Sequence, residues 1–251
     1  MSKINLLFVF ILLLTACKKD DIVIQPSTTS TIQLATYSNG EKITEHQGIS
    51  LYDGISYKIT ILKFYISNIR LVNHQGEEIT FKIDANILGS EQGVFLYEYG
   101  KNESFSGSIP ANHYMKIRFD LGLDSVLNNI DPNQFSAEHP LSRDKDMFWD
   151  MLKYRFVVME GSVDTAKLDL YNFPFSYHLG GKDFLRNIEM NIDWNVKSDQ
   201  VTSLPIRIDL DKVFTDGANK IDVLTFFSYH SMDEQKGIGM QLMDNISKSF
   251  E

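Results

Sequence analysis

The sequence is poor in cysteine, with one residue in 251. A single thiol excludes an intrachain disulfide, a cysteine-cluster zinc site and an iron–sulfur site. Proline and glycine are scarce too, 6 and 15 residues, which excludes a collagen-like repeat or a proline–glycine low-complexity chain. Positive charge is in deficit. With 24 basic against 33 acidic side chains the net charge is −9, so no nucleic-acid partner, held through neutralised phosphates, is expected. No apolar run reaches the roughly 20 residues of a membrane-spanning helix. Several chemical signatures are missing as well. There is no GxGxxG or GxxxxGK[ST] nucleotide loop, no GxSxG elbow, no HExxH and no histidine pair four residues apart. With no nucleophile–base arrangement visible, the chain is not expected to be an enzyme. What is present is an ordinary globular composition, 43% hydrophobic, 23% charged and 12% aromatic, in a chain long enough to bury its own core.

The one cysteine has a telling position. Lys3 is followed by an unbroken apolar run, Leu6 to Leu14, and then by Leu14-Thr15-Ala16-Cys17. The run has the length of a signal-peptide core rather than of a membrane span. Leu-Thr-Ala-Cys resembles the bacterial lipobox, so residues 1–16 are expected to be removed and Cys17 lipidated. Lys18-Lys19-Asp20-Asp21 resembles the surface-export signal of Bacteroidota lipoproteins, with Lys19, Asp20 and Asp21 as its core. The expected location is the outer membrane, facing outward through a lipid anchor. Residues 17–31 read as a polar tether, ending in Gln25–Thr31, and 32–251 as a single domain.

From Ile32 the dominant period is two. Met115, Ile117, Phe119 and Leu121 alternate with Lys116, Arg118 and Asp120. Ile188, Met190, Ile192, Trp194 and Val196 do the same, as do Ile206, Ile208 and Leu210, and Ala166, Leu168 and Leu170. These patterns predict half-buried antiparallel strands. Further strands are predicted over 32–37, 56–73, 78–83, 94–97, 154–160 and 173–179. Many strands joined by short turns predict an all-β fold, an antiparallel β-sandwich. The stretch Ile59–Val72 changes phase near Leu62-Lys63, where a bulge is expected to carry the strand between sheets. Helix is scarce: one turn capped by Asp124, and a short C-terminal helix whose stripe is Ile238, Leu242, Ile246 and Phe250, with Met243 beside it.

The six histidines, at 46, 74, 113, 139, 178 and 230, are far apart, yet a sandwich can bring distant strands together. Two contexts stand out. Phe173, Phe175, Tyr177 and Leu179 alternate inward, so His178 points outward at a strand end, beside the flexible pair Gly180-Gly181. His230 and Met232, two residues apart on an extended segment, share a face and suit a copper ion, above all Cu(I). The alternative is a methionine that merely fills a core gap.

A family resemblance bears on that choice. Lys63-Phe64-Tyr65-Ile66-Ser67-Asn68-Ile69-Arg70-Leu71 resembles a characteristic strand of the MbnP-like copper-binding domain family. Phe119-Asp120-Leu121-Gly122-Leu123-Asp124 is similar to a second of its segments. Met147-Phe148-Trp149 with Tyr154-Arg155-Phe156 and Glu160-Gly161 resembles a third, and Phe175-Ser176-Tyr177-His178-Leu179-Gly180-Gly181 a fourth. His230 followed by Asp244-Asn245 and Phe250 fits its closing pattern of a histidine before a helix. The matches run in order over nearly the whole domain.

The resemblance, which extends to methanobactin-associated and copper-repressible surface proteins, implies a copper-binding β-sandwich that takes Cu(I) or Cu(II) for acquisition or handling. It implies His178 and His230 as ligands, with Met232 as a further candidate. In relatives a dihaem peroxidase-type partner oxidises a tryptophan to kynurenine, which makes Trp149 the candidate oxidised or site-lining aromatic. The chain departs from the pattern at Met151, where the family block has a second tryptophan, and at Lys153, where it has glycine. Trp194 is predicted to be core. The competing reading is a surface lipoprotein that binds glycan or peptide, with Phe226-Phe227-Tyr229 and Tyr97/Tyr99 as platforms. Asp124-Ser125-Val126 and Asp164-Thr165-Ala166 also resemble a short O-glycosylation motif.

Overall fold

The computed structural model describes residues 27–83, 93–217, 219–230 and 236–251. Cys17, Lys19, Asp20, Asp21 and Met232 lie outside the described residues. Nine strands of five or more residues build the molecule: β1 (Ser27–Ser38), β2 (Ser56–Asn73), β3 (Val94–Glu98), β4 (Ser104–Pro110), β5 (Asn112–Leu121), β6 (Lys153–Asp164), β7 (Phe173–Gly180), β8 (Arg186–Val196) and β9 (Thr202–Asp209). The helices are a single turn, α1 (Ser125–Asn128), and α2 (Lys236–Lys248). The Asp124 carboxylate caps α1 by accepting from the Val126 and Leu127 amides.

The strands form two layers. The smaller sheet has the order β9-β1-β4, closed by the short strand Lys82–Ile83. The larger runs β8-β5-β2-β6-β7 and ends on the two-residue strand Ser228–Tyr229. Strand β2 is long enough to take β6 along its first half and β5 along its second. Inward positions of both sheets make one core, in which Tyr57, Phe64, Tyr65, Phe119, Tyr154 and Tyr177 are at most 1% exposed. This is the β-sandwich expected from the alternation.

The smaller sheet joins β1 to the last residues, 249–251. β1 runs parallel to β9 in the register Ser30↔Thr202 to Tyr37↔Asp209. The outer side of β9 is then taken by the C-terminus: the Arg207 amide donates to the Glu251 carbonyl, the Asp209 amide to Ser249, and the Glu251 amide back to Arg207.

Four details differ from the sequence expectation. Residues 27–31 belong to β1 rather than to a tether, because each pairs with β4 and the Thr31 and Ser106 hydroxyls hydrogen-bond at 3.0 Å. Strand β2 does bulge, opposite Glu160/Gly161 and again at Asn68 (φ 53°), but stays in one sheet. The chain changes sheets instead at Phe81, between Glu78–Thr80, which pairs with β2, and Lys82–Ile83, which pairs with β4. Met115 is 41% exposed and Tyr114 is buried in its place, because Met115 is the extra residue where β5 slips against β2, between the pairs Val72↔Lys116 and Asn73↔Tyr114. Ala166–Leu170 is a loop, not a strand. The Asp164 carboxylate takes the Ala166 and Asp169 amides, Lys167 and Asp169 have positive φ, and Leu168 and Leu170 face solvent.

Helix α2 packs against β7, β8 and the turn after β9. Leu242, Met243 and Ile246 are buried as the stripe predicts. Phe250 lies beyond the helix end and meets Phe64 and Phe119 edge-on, with ring centroids 5.7 and 5.3 Å away. Trp194 is core, 4% exposed. No helix among the described residues is long and apolar enough to cross a membrane.

Candidate functional site

Buried tyrosines position the segments that carry the site. Tyr65 and Tyr154 donate their hydroxyls to the carbonyls of Pro140 and Leu141, at 3.0 and 2.9 Å. They pin the loop that leads into the hairpin of Phe148–Trp149 and β6. Tyr177 donates to the Phe226 carbonyl and so fixes the segment before Ser228–Tyr229. Burial raises these phenols well above the ordinary tyrosine range, so they stay protonated donors.

The short strand Ser228–Tyr229 pairs parallel with β7, Ser176 opposite Ser228 and Tyr177 opposite Tyr229. That register sets two identical tripeptides side by side, Ser176-Tyr177-His178 and Ser228-Tyr229-His230. Both tyrosines point inward and are at most 1% exposed, while the serines and histidines point outward. Gly239 of α2 lies against Tyr229, where a Cβ would meet the ring at 2.4 Å. Only glycine lets the helix seat at this distance, directly behind the His230 strand.

The two imidazoles meet. Their centroids are 4.6 Å apart at 76°, and His178 Nδ1 lies 3.1 Å from His230 Nδ1. Behind His178, Nε2 is 2.7 Å from Glu160 Oε1 and 3.3 Å from Ser176 Oγ. Ser228 Oγ stands 3.1 Å from His230 Nε2 in the equivalent position. The short contact to a carboxylate assigns the His178 proton to Nε2 and leaves the Nδ1 lone pair facing His230. Arg155 Nη1 reaches the same Nδ1 at 3.4 Å. The His178 imidazole is held below the ordinary 6.5. Burial is the main cause, Arg155 and His230 add to it, and the bond to Glu160 works in the other direction. The ring is therefore neutral at pH 7.

Arg155 arrives through a bulge. Its spacing from Glu160 is odd, so strict alternation would put the two on opposite faces. The pairing with β7 shifts between Arg155 and Val157, which returns Arg155 to the outward face. Its guanidinium is held from the far side by the carbonyl and carboxylate of Asp146. Asp146, Phe148, Trp149, Arg155, His178 and His230 line an open cleft of about 440 Å³. Trp149 is 37% exposed on its rim. Met151 sits on the exposed turn of the hairpin and is not among the cleft residues.

The arrangement fits a metal ion. Two metal–imidazole bonds of about 2.0–2.1 Å whose nitrogens are 3.1 Å apart subtend roughly 100° at the metal, the relation of adjacent ligands. Neutral imidazoles without a thiolate suit a late first-row metal such as copper. A carboxylate on the far nitrogen is the usual device for orienting a ligating histidine. No group of three His, Cys, Asp or Glu side chains able to hold a metal occurs among the described residues, so the pair supplies only part of a coordination sphere.

The structure thus brings His178, His230 and Trp149 into one cleft, with Met232 two residues past His230 but outside the described residues. Sequence reasoning missed Glu160 and Arg155. It also missed the duplicated Ser-Tyr-His, which is visible in the chain and would have paired the two histidines. The platforms of the glycan- or peptide-binding reading are mostly internal. Tyr97, Tyr99 and Tyr229 are buried because they face the core, and of that set only Phe227, 48% exposed, stands out.

A family model described as MbnP matches residues 27–233. Among solved structures the fold is similar to MbnP from Methylosinus trichosporium, at 14% identity and a TM-score of 0.54, over 75% of this chain and 78% of that one. No curated protein sequence matches the chain.

Proposed function

The chain belongs to the MbnP family, and from that premise we propose that its cleft binds copper through His178 and His230, for copper acquisition or handling rather than catalysis. The observation that carries the reading is the pair of Nδ1 atoms 3.1 Å apart, one of them backed by Glu160 through the opposite nitrogen. Neutral imidazoles suit copper in either oxidation state, and a thioether adds preference for Cu(I). Met232 is the proposed soft third ligand. Trp149, exposed on the rim, is the residue that a dihaem peroxidase-type partner would reach. Cys17 is the proposed lipid anchor, with Lys19, Asp20 and Asp21 directing the protein outward across the outer membrane. Cys17→Ser is then expected to release the protein from the membrane fraction.

The test is copper titration of the mature chain, His178→Ala and His230→Ala against a Cu(I) chelator. Wild type is expected to take up one copper and each variant to lose most of its affinity. Variants that bind as tightly as wild type would remove the ligand assignment. A wild type that takes up no copper would leave a shared fold without the shared function.

A further inference from the structure

We infer that Arg155 sets the charge of the cleft and thereby discriminates against divalent ions at the histidine pair, an inference that rests on the metal-binding reading above. Arg155 Nη1 lies 3.4 Å from His178 Nδ1, the nitrogen whose lone pair a metal would take. The guanidinium is no flexible surface group. Its side chain is 12% exposed, two bonds to Asp146 hold it, and its Nε is buried with no hydrogen-bond partner among the described residues.

Among the described residues, Arg155 is the cation beside the pair, and Glu160 and Asp146 are the carboxylates. Lys63, two strands away in the row through Val158, is paired with Glu98 at 3.5 Å. Arg155, Glu160 and Asp146 sum to one negative charge among the described residues, and imidazole ligands to a metal add none. A divalent ion places one more positive charge than a monovalent ion beside a fixed guanidinium. The acids do not compensate equally. The Asp146 side chain is 89% exposed and screened by water, while Arg155 is enclosed. For charges roughly 5 Å apart, one extra unit of like charge costs a factor of about four in binding at the dielectric of water and a few hundred at an effective value near 20. A half-open cleft lies between these limits, so a discrimination of about tenfold or more is expected.

Arg155 must stay within reach of the metal for this to hold. The bulge that turns it outward and the Asp146 clamp keep it there.

The test compares wild type, Arg155→Met and Arg155→Lys in the mature chain. Cu(I), Cu(II) and Zn(II) affinities are measured by chelator competition, and the reduction potential of the copper-loaded protein is measured alongside. Arg155→Met is expected to raise Cu(II) and Zn(II) affinity about tenfold or more relative to Cu(I), and to lower the potential by about 59 mV for each tenfold change in that ratio. Arg155→Lys, which keeps the charge, is expected to stay near wild type and serves as the control for folding. An unchanged ratio in Arg155→Met, or an equal shift in both variants, would overturn the charge argument while leaving copper binding intact. A wild type that binds none of the three ions would overturn both readings.

Discussion

Glu160 offers a sharp test of how the histidine pair is organised. Its carboxylate is 2.7 Å from His178 Nε2, which also has Ser176 Oγ at 3.3 Å. In Glu160→Ala the Nε2 proton loses its charged acceptor, and the Ser176 hydroxyl offers a longer, uncharged one. The imidazole then loses both its fixed tautomer and part of its basicity. Removal of such an outer carboxylate typically weakens metal binding by about ten- to a hundredfold, or roughly 1.4–2.8 kcal/mol. Glu160→Gln keeps an acceptor of the same length but no charge, so its loss is expected at the low end, near tenfold. The fold should tolerate both changes. The Glu160 side chain is one-third exposed, and its cross-strand bond from Thr60 uses the backbone carbonyl. The assay is Cu(I) competition titration with a thermal melt of each variant as control. Binding in Glu160→Ala that equals wild type would show that packing alone orients His178. A Gln variant weaker than the Ala variant would refute the hydrogen-bond ordering.

Phe250→Ala should destabilise the domain by about 3–5 kcal/mol, read by denaturant unfolding, because the ring is 7% exposed and wedged against Phe64 and Phe119. Gly161→Ala should cost about 1–3 kcal/mol or more in the same assay, since its Cβ would meet the Lys58 carbonyl at 2.0 Å and the Phe175 ring at 2.6 Å. Copper affinity should be level around neutral pH and decline only below the ordinary imidazole value of 6.5, because His178 is depressed beneath it. The sign for stability is the same. Burial of neutral His178 contributes above 6.5, and the contribution is lost as pH falls through the lower folded value, which a pH series of melts reports.

The fold was legible where one physical signal dominated. Strict alternation located β8 and β9, and the four-residue stripe located α2, because each reflects a face buried along its whole length. Leu168 and Leu170 carry the same alternation without any burial. There the Asp164 carboxylate competes for backbone amides and curls the chain, a preference that hydrophobic period does not register. The site was legible in part. Outward placement of His178 followed from the inward Phe175, Tyr177 and Leu179, but its partner depended on a parallel pairing between strands about fifty residues apart. Arg155 was hidden for a different reason. A bulge changes facing by one residue, and nothing in the local sequence announces the extra residue.

The pairing of β1 with β9, and of β9 with residues 249–251, has a consequence for the order of synthesis. Strand β1 is completed only by strands about 80 and 175 residues later in the chain, and the outer edge of β9 is covered by residues 249–251. Such long-range closure makes the smaller sheet a late event, with loop-closure entropy lost before the contacts form. The smaller sheet therefore stays open until residues 249–251 are available to cover β9, and a chain cut short before them would leave that strand edge unpaired.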